Sequence, residues 1–451
     1  MSLINQKTAG FLLPLGWLIG LLAGIFFQVE ILTVVVFIFA WFLLVVFLFN
    51  PLAGVSIFLI LRPSLDKISH HYSLRFTENF SLNISSFLGI FIIFLTLLFF
   101  LKNYQMFFRI PLRYPAMIFW FLVVFSIFYS LDRFLSLYEA IRILSIFSIF
   151  FLIFTLSRYQ KNAASFLLKV IMISAFLPML VAFWQLFTQS GLGGTGGLES
   201  RLYGTFAHPN SFASFLIIIW GLSFYFLSVR SRKEKDFWWA LALFGATGFL
   251  LLETYSRGAW LGVLAFLFFY GILRSPKIIV LGAVALVLLF LTVPSFHDRV
   301  EDAYNPPADS SIVWRFQKWQ RVLAAIKKHP FIGSGAGTET MVHEREYGFY
   351  AGNPYTHNDF LKIWLENGLI GLTTYLNLIF LIWFYLAKQY WRSQNKTAQS
   401  LVLIVGLIFL SELVFSMSSN IWRGTATMWV VWALIALALS LSQSRFEKKS
   451  Q

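Results

Sequence analysis

The stretch ILTVVVFIFAWFLLVVFLF, residues 31–49, contains no charged side chain and has about the length that a helix needs to cross a bilayer. Runs of this kind dominate the 451 residues, of which 58% are hydrophobic and only 12% are charged, against roughly 25% charged in ordinary soluble domains. The chain is therefore predicted to be an all-α polytopic membrane protein. Fourteen apolar runs are candidate spans: 11–28, 31–49, 51–61, 86–101, 115–130, 139–156, 164–187, 211–229, 237–253, 258–273, 277–294, 359–386, 399–417 and 421–441.

The number of spans is predicted as twelve to fourteen. A span needs roughly 20 apolar residues, and the run 51–61 is shorter than that. If this run is re-entrant, another segment must change as well, because otherwise the two termini fall on opposite sides. The resulting division has transmembrane helices over 1–294, a large loop over 295–358, the last three spans over 359–441 and a tail over 442–451.

Lys and Arg residues occur in short clusters between the apolar runs, as at residues 230–235. Cytoplasmic loops of membrane proteins carry the excess of such residues, so we place both termini in the cytoplasm and the loop 295–358 outside. The prediction is a multi-pass protein of the cytoplasmic (inner) membrane, in contact with membrane lipid. The net charge of +15 could also indicate nucleic acid, but the basic residues form no single face, and no nucleic-acid partner is expected.

The loop 295–358 differs from the other connections because it is long, polar and contains a helical pattern of its own. The segment SSIVWRFQKWQRVLAAIKKHP, residues 310–330, has apolar residues at spacings that approximate one helix face. We predict a partly helical extracytoplasmic loop whose helix lies on the membrane surface or caps the bundle. The apolar positions are Val313, Phe316, Val322, Leu323 and Ile326.

A second polar segment, NPYTHNDFLKIWLENGLIGL at residues 353–372, puts His357 and Asn358 at the start of an apolar run. Either residue could cap the helix. Gly368 and Gly371 are predicted to lie on one helix face, where small residues let a neighbouring helix approach closely. An imidazole at that boundary titrates near neutral pH and could take a proton from an attacking hydroxyl. A capping role and a base role both remain open for His357 at this point.

Two more polar groups interrupt the apolar sequence on the same predicted side. Arg201, in ESRLYGTFAHPNSFASFL at 199–216, could bind a phosphate bidentately or anchor to lipid headgroups. Arg257, in LLETYSRGAWLG at 251–262, is either functional or neutralised by Glu253. The glycine-rich GLGGTGG at 191–197 lacks a P-loop lysine and indicates a flexible loop. No carboxylate cluster has metal-ligand spacing and there is no cysteine, so neither a metal nor a cofactor is expected.

At these residues the sequence resembles the O-antigen ligase and polymerase superfamily of bacterial envelope glycosyltransferases. His357 and Asn358, nine residues, Gly368, two residues and Gly371 fit the ligase signature of His, then Asn, Ser or Gln, nine residues and Gly-x-x-Gly. The stretches TYSRGAWLG and RLYGTFAHPNSFAS and a large outer loop before the last three spans support the resemblance. It extends from about residue 199 to 441, and the N-terminal half matches only as generic apolar spans.

The resemblance implies transfer of an oligo- or polysaccharide from an undecaprenyl diphosphate donor to an acceptor hydroxyl, with inversion and without a metal ion. It implies that His357 is the general base and that Arg201 and Arg257 bind the diphosphate. The supporting residues that it implies are Asn358, Gly368, Gly371, His208 and Asn210, and Arg423 is the next candidate for the diphosphate clamp.

The acceptor and the broader class keep alternatives. A ligase uses lipid A core, a polymerase uses another lipid-linked glycan, and a protein O-oligosaccharyltransferase uses a protein hydroxyl. A solute transporter, for example of anions, is the alternative from another class. Transporters usually show internal repeats, and none is evident here. Ionisable residues in mid-span are also few, chiefly Arg142, Lys169 and Glu412.

Overall fold

A computed structural model of the protein describes residues 2–27, 31–71, 73–77, 80–193, 200–307, 310–347 and 355–441. The predicted tail 442–451 and residues 194–197 of the glycine-rich stretch lie outside the described residues. The first ten helices are α1 (Gln6–Phe27), α2 (Ile31–Phe49), α3 (Pro51–Ser64), α4 (Asp66–His71), α5 (Ile84–Lys102), α6 (Tyr104–Phe107), α7 (Arg113–Phe125), α8 (Arg133–Tyr159), α9 (Ala163–Ile173) and α10 (Phe176–Thr188).

The second half of the chain is also helical, and a short hairpin is added between α4 and α5. The hairpin consists of the antiparallel strands β1 (Ser73–Thr77) and β2 (Phe80–Asn83), which the sequence analysis did not predict. The remaining helices are α11 (Pro209–Val229), α12 (Lys235–Glu253), α13 (Arg257–Leu273), α14 (Lys277–Thr292), α15 (Pro294–Tyr304), α16 (Ser311–Ile326), α17 (Glu339–Tyr347), α18 (Asp359–Arg392), α19 (Lys396–Ser416) and α20 (Thr425–Ser440).

The prediction of an all-α polytopic membrane protein is confirmed. Seven helical segments in the described residues are long and apolar enough to cross a membrane, and the bent pair α14 and α15, with 100° between them, would be an eighth. Five shorter apolar helices accompany them, among them α3, which covers the short run 51–61. Each of the fourteen predicted runs overlaps a helix, and the run 164–187 is divided between α9 and α10. The chain is thus an integral membrane protein.

The centre of the bundle is α20, whose residues are buried on every side. A helix that is apolar all round belongs in the interior, and α20 packs against α8, α19 and α11. Trp432 fixes the contact with α8, because its ring lies 5.0 Å from that of Phe147 and 5.4 Å from that of Phe150. The helices α11 and α19, next to the polar segments 199–216 and 417–424, therefore pack against this central helix.

The loop 295–358 caps one end of the bundle through α16. Val322 and Ile326 of α16 are buried together with Val342 of α17 and Leu365 of α18. Of the predicted apolar positions, Phe316 is 58% exposed and Leu323 is 41% exposed, so the contact with α17 and α18 buries only part of that face. The buried face of α16 is narrower than the sequence indicated because only its last turns meet α17 and α18.

The two glycines of the signature do not share one regular helix face, which corrects the prediction for Gly368. The backbone of Gly368 has φ 64° and ψ −169° and interrupts α18. A Cβ at Gly368 would lie 2.2 Å from the carbonyl of Phe331, and Leu369 donates to the carbonyl of Pro330 at 2.8 Å. Gly368 is required because the end of the loop enters this break at close range. Gly371 lies in the helix beyond it, where a Cβ would meet Asn367 at 2.2 Å.

Candidate active site

Arg201 is held at the capped end of the bundle by its backbone and its side chain. Its backbone pairs with Leu192 through two hydrogen bonds of 2.9 and 2.8 Å, which close the base of the glycine-rich loop. Its guanidinium donates from Nε to the carbonyl of Thr254 at 2.8 Å and from Nη2 to Oδ1 of Asn210 at 3.1 Å. The three partners of Arg201 among the described residues are neutral, so its charge is oriented without being neutralised by them.

Arg257 is the first residue of α13 and follows the tight turn after Glu253. It donates to the carbonyl of Arg299 at 3.3 Å and to the hydroxyl of Ser311 at 3.1 Å. These bonds tie α13 to α15 and α16, the helices of the large loop. The loop thereby brings two arginines that the sequence analysis did not single out, Arg299 and Arg315, to the same place.

These four arginines line one cavity of about 320 Å³, a volume that includes its opening to solvent. The arginines are close enough to repel one another. Burial, and then the charges of the neighbouring arginines, lower the pKa of Arg201 to about 10. Burial and the charge of Arg257 lower the pKa of Arg315 to about 10 as well. The Nε atoms of Arg299 and Arg315 are buried and have no hydrogen-bond partner in the part of the chain that the structure describes. The cavity is lined by Arg201, Asn210, Tyr255, Ser256, Arg257, Gly258, Arg299, Ser311, Arg315, Phe415 and Ser418.

His357 lies beside this cavity, in the turn that precedes α18. It is 9% exposed, and its ring makes an edge contact with Trp314, the neighbour of Arg315, at 5.6 Å between centroids. Burial and the charges of Arg315, Lys318 and Arg423 lower the pKa of His357 to about 3. The imidazole is therefore neutral at neutral pH, which corrects the expectation that it titrates there. Its Nδ1 has no hydrogen-bond partner among the described residues.

The cap of α18 is Asn358, not His357. The side-chain oxygen of Asn358 accepts from the amides of Phe360 and Leu361 at 3.0 and 3.1 Å. Asp359 then accepts from the amides of Ile421 and Trp422 at 2.8 and 3.1 Å, which joins this turn to the connection between α19 and α20. Because Asn358 fills the capping role, the imidazole of His357 is left for another role.

His208 and Asn210 begin α11 next to the arginines. Nδ1 of His208 accepts from the amide of Asn210 at 3.0 Å, so His208 is the N-cap of this helix. Burial and then the charge of Arg201 lower the pKa of His208 to about 4. Oδ1 of Asn210 accepts from both Arg201 and the hydroxyl of Ser256, at 3.1 Å each, so Asn210 links α11 to the turn before α13.

Arg423 lies in the same connection between α19 and α20 and is exposed. Its guanidinium lies over the ring of Tyr355 at 3.5 Å from the centroid. Arg423 is among the charges that act on His357, although it does not line the cavity. Within the described residues, no three His, Asp or Glu side chains gather in a way that could hold a metal ion.

A second charged cluster lies behind the turn of His357, inside the bundle. Glu139 of α8 accepts from Arg142 at 2.6 and 2.8 Å and from Lys362 of α18 at 3.1 Å. Lys362 also lies 3.5 Å from Glu366, one turn along α18. Arg142 donates further to the carbonyl of Trp422. In this cluster each cation is next to a carboxylate.

Every site residue predicted from the sequence lies at this end of the protein, with the glycines of the signature behind it. Arg299, Arg315 and Lys318 were missed, since the analysis of 310–330 considered only the apolar positions. A signal was present, because Arg315, Lys318 and Arg321 are spaced three apart and form a basic stripe on α16.

The comparisons with known proteins indicate one family. The sequence model of the family described as O-Antigen ligase matches residues 240–376. That range contains Arg257, Arg299, Arg315 and His357, whereas Arg201 and the other residues before 240 or after 376 lie outside it.

Three curated proteins are similar over parts of the chain. A general O-oligosaccharyltransferase of Acinetobacter baylyi is 26% identical over 289 residues, which are 58% of this chain and 47% of that protein. An O-antigen ligase of Salmonella typhimurium is 29% identical over 143 residues, 29% of this chain and 35% of that protein. An uncharacterized protein of Haemophilus influenzae is 25% identical over 191 residues, 37% of this chain and 47% of that protein.

The chain thus spans about half the length, or less, of the curated relatives it matches. The resemblance first noted at residues 357–371 is confirmed by the family match and by the names of two of these relatives. Residues 240–376 thus match the O-antigen ligase family, and two of the relatives carry names from the same superfamily.

Proposed function

We propose that this protein is a glycosyltransferase that moves a glycan from a lipid diphosphate donor to the hydroxyl of an acceptor. The observation that carries the proposal is the pairing of a four-arginine cavity with a neutral, buried His357 at its edge. The cavity supplies charge for an anion, and the imidazole supplies a base. The match of residues 240–376 to the family described as O-Antigen ligase supports the same class of reaction, glycan transfer.

The donor is an undecaprenyl diphosphate-linked oligo- or polysaccharide. A diphosphate carries oxygens that planar guanidinium groups bind in pairs, and four arginines match that chemistry. The unpartnered Nε atoms of Arg299 and Arg315 are donors that such a group would satisfy. The position of the cavity at the end of apolar helices supports a donor whose lipid stays in the membrane.

The reaction is a single displacement with inversion. The acceptor hydroxyl gives its proton to His357 while its oxygen bonds to the anomeric carbon of the donor. The bond from that carbon to the diphosphate oxygen breaks, and the diphosphate leaves with the electron pair. The arginines stabilise the charge that grows on the leaving group. A bound diphosphate would also raise the pKa of His357 from its low value, which makes it a better base when the donor is present.

The site faces the outer side of the cytoplasmic membrane, with both termini in the cytoplasm. The distribution of Lys and Arg between the spans supports this orientation. A cysteine label introduced at Pro307 should react with an impermeant reagent in intact cells, whereas one at Lys233 should react only after lysis. The reverse pattern would overturn the orientation.

The acceptor is proposed to be a carbohydrate hydroxyl, as in lipid A core for a ligase or a second lipid-linked glycan for a polymerase. Transfer to another hydroxyl, such as that of a protein, is the second candidate. The observation in its favour is that the relative named general O-oligosaccharyltransferase matches 58% of this chain, twice the share of the relative named O-antigen ligase.

Transport of a solute receives less support from the mid-span ionisable residues. Arg142 is paired with Glu139, and Lys169 lies 2.8 Å from Asp236. Glu412 accepts instead from the hydroxyl of Ser214 at 2.5 Å. The two ion pairs stabilise helix contacts.

The test supplies purified protein with a lipid diphosphate-linked oligosaccharide and with each acceptor in turn: lipid A core, a second lipid-linked oligosaccharide, and a protein. The mass of the product identifies the acceptor. The expected result is a glycan-acceptor product that forms in the presence of a chelator. Release of no glycan from the donor with any acceptor would overturn the proposal.

A further inference from the structure

The backbone of His357 is in an uncommon conformation. Its φ is 53°, in the left-handed region that residues with a Cβ seldom occupy. A residue held there costs on the order of 1–3 kcal/mol, so the neighbouring structure must impose it. The residue before it shows how this is done.

Thr356 is fully buried and is held on three sides. Its amide donates to the carboxylate of Glu339, and its carbonyl accepts from Nε1 of Trp319 at 2.9 Å. Its hydroxyl lies 3.4 Å from Nε2 of His343. Both polar groups of the peptide backbone and the side chain of Thr356 are therefore engaged by α16 and α17.

Glu339 extends this arrangement to the far wall of the site. Its two carboxylate oxygens accept from Nδ2 of Asn420 at 3.0 and 3.1 Å. Asn420 belongs to the connection between α19 and α20, which Asp359 also holds. One carboxylate thus joins the turn of His357 to the segment that carries Arg423.

We propose that Glu339, Trp319 and His343 are positioning residues that clasp Thr356 and so keep His357 in its left-handed conformation, with the imidazole beside the arginine cavity. The inference rests on the proposed function for its consequence in catalysis. It follows from geometry, because relaxation of φ to an ordinary negative value would swing the side chain away from Trp314. None of the three residues lines the cavity, so they act through His357.

The test uses Trp319→Phe, which keeps the ring and loses the donor, and Glu339→Ala, which loses the acceptor. Diethyl pyrocarbonate modification of His357, followed by mass spectrometry, reports its exposure without any assay of transfer. His297 in the same molecule is the internal reference, because its side chain is 43% exposed. We expect modification of His357 relative to His297 to rise severalfold in both variants.

The kinetic expectation is separate. A base displaced by about 1 Å costs on the order of 10²-fold, so kcat should fall by one to two orders of magnitude, while the KM for the donor, set by the arginines, changes less than twofold. Glu339→Gln keeps an acceptor oxygen and should restore most of kcat. Trp391→Phe is the matched control, because Trp391 is 80% exposed at the other end of α18.

The outcomes separate the inference from the proposed function. Unchanged reactivity of His357 in both Trp319→Phe and Glu339→Ala overturns the clasp. Increased reactivity with an unaltered rate of transfer supports the clasp and overturns the role of His357 as base. Should Glu339→Ala fail to fold, Thr356→Val removes only the hydroxyl, and it should give a smaller rise in reactivity with the same sign.

Discussion

Two groups of cations lie on either side of the His357 turn, and they differ in the partners that surround them. In the cavity, Arg201 and Arg257 donate to carbonyls, an amide and a hydroxyl, and the described residues that line the wall include no carboxylate. Asp302 contributes one negative charge from nearby. Behind the turn, Lys362 and Arg142 share carboxylates at 2.6 to 3.5 Å.

The difference indicates that the paired cations stabilise the fold, whereas the cavity arginines are available to bind an anionic ligand. Removing cations from water is costly unless they are paired. The buried cluster is paired within the protein and therefore serves the packing of α8 against α18. The arginine cavity keeps a positive excess, and burial together with the charge of its Arg315 lowers the pKa of His357 to about 3. An anionic donor would offset the positive charge of the cavity and raise the pKa of His357.

The largest expected effect is at His357, which lies between the two groups. His357→Ala and His357→Gln should fold and bind donor but lose roughly 10²–10⁴ in turnover, the range for loss of a general base. Gln keeps a hydrogen bond but cannot accept the proton. The measurement is transfer at saturating donor with chelator present. Near-normal turnover by His357→Gln would remove the base assignment.

The matched control for His357 is its neighbour. Asn358→Ala removes the cap of α18 and should cost about 1 kcal/mol of stability. Turnover per folded molecule should stay within a few-fold of wild type. A loss as large as that of His357→Ala would mean that both residues act through the position of the turn.

The second prediction breaks the buried cluster. Lys362→Met leaves Glu139 and Glu366 without their shared cation, and removing one partner of a buried pair typically costs about 3–5 kcal/mol. We expect this loss in the free energy of unfolding of the protein in detergent. Arg315→Met is the comparison variant, because it removes a cation that repels its neighbours, and its stability should equal or exceed that of wild type. Equal losses of stability in both variants would contradict the distinction between paired cations and ligand-binding cations.

The sequence predicted the helices well because a bilayer imposes a local pattern on each span. The run 31–49 or 211–229 can be identified without its neighbours, since about 20 apolar residues suffice. The break at Gly368 could not be predicted in this way. The spacing of Gly368 and Gly371 also fits a regular helix. The helix is interrupted because the backbone of Phe331, at the end of the loop, lies against Gly368.

The candidate site was predicted where polar residues interrupt apolar sequence, as at Arg201, Arg257 and His357. Arg299 and Arg315 were missed because a basic residue in a polar loop carries no such contrast. The clasp on Thr356 and the pair of Glu139 with Lys362, 223 residues apart, depend on tertiary contacts that no local pattern encodes.

The third prediction concerns the cavity itself. Arg201→Ala and Arg257→Ala should each weaken donor use by about 1.5–3 kcal/mol, as expected for a charged hydrogen bond, without unfolding the protein. Lysine at either position should restore activity only in part, because the planar fork is lost. Donor dependence of the rate measures the effect. Normal donor use by both alanine variants would place the clamp elsewhere, with Arg423 the next candidate.

The smallest predicted effect is a dependence of stability on pH. The folded pKa of His357, about 3, lies below the ordinary value of 6.5, so the unfolded chain binds the proton more readily. The stability that this residue contributes is complete above about pH 6.5 and is lost as the pH falls toward the folded pKa. Between about pH 7.5 and 5.5, wild type should therefore lose about 1 kcal/mol more than His357→Gln in detergent unfolding. A saturating donor diphosphate should shrink this difference by raising the folded pKa, and an equal slope in both proteins would show that the pKa of His357 is not lowered in the folded protein.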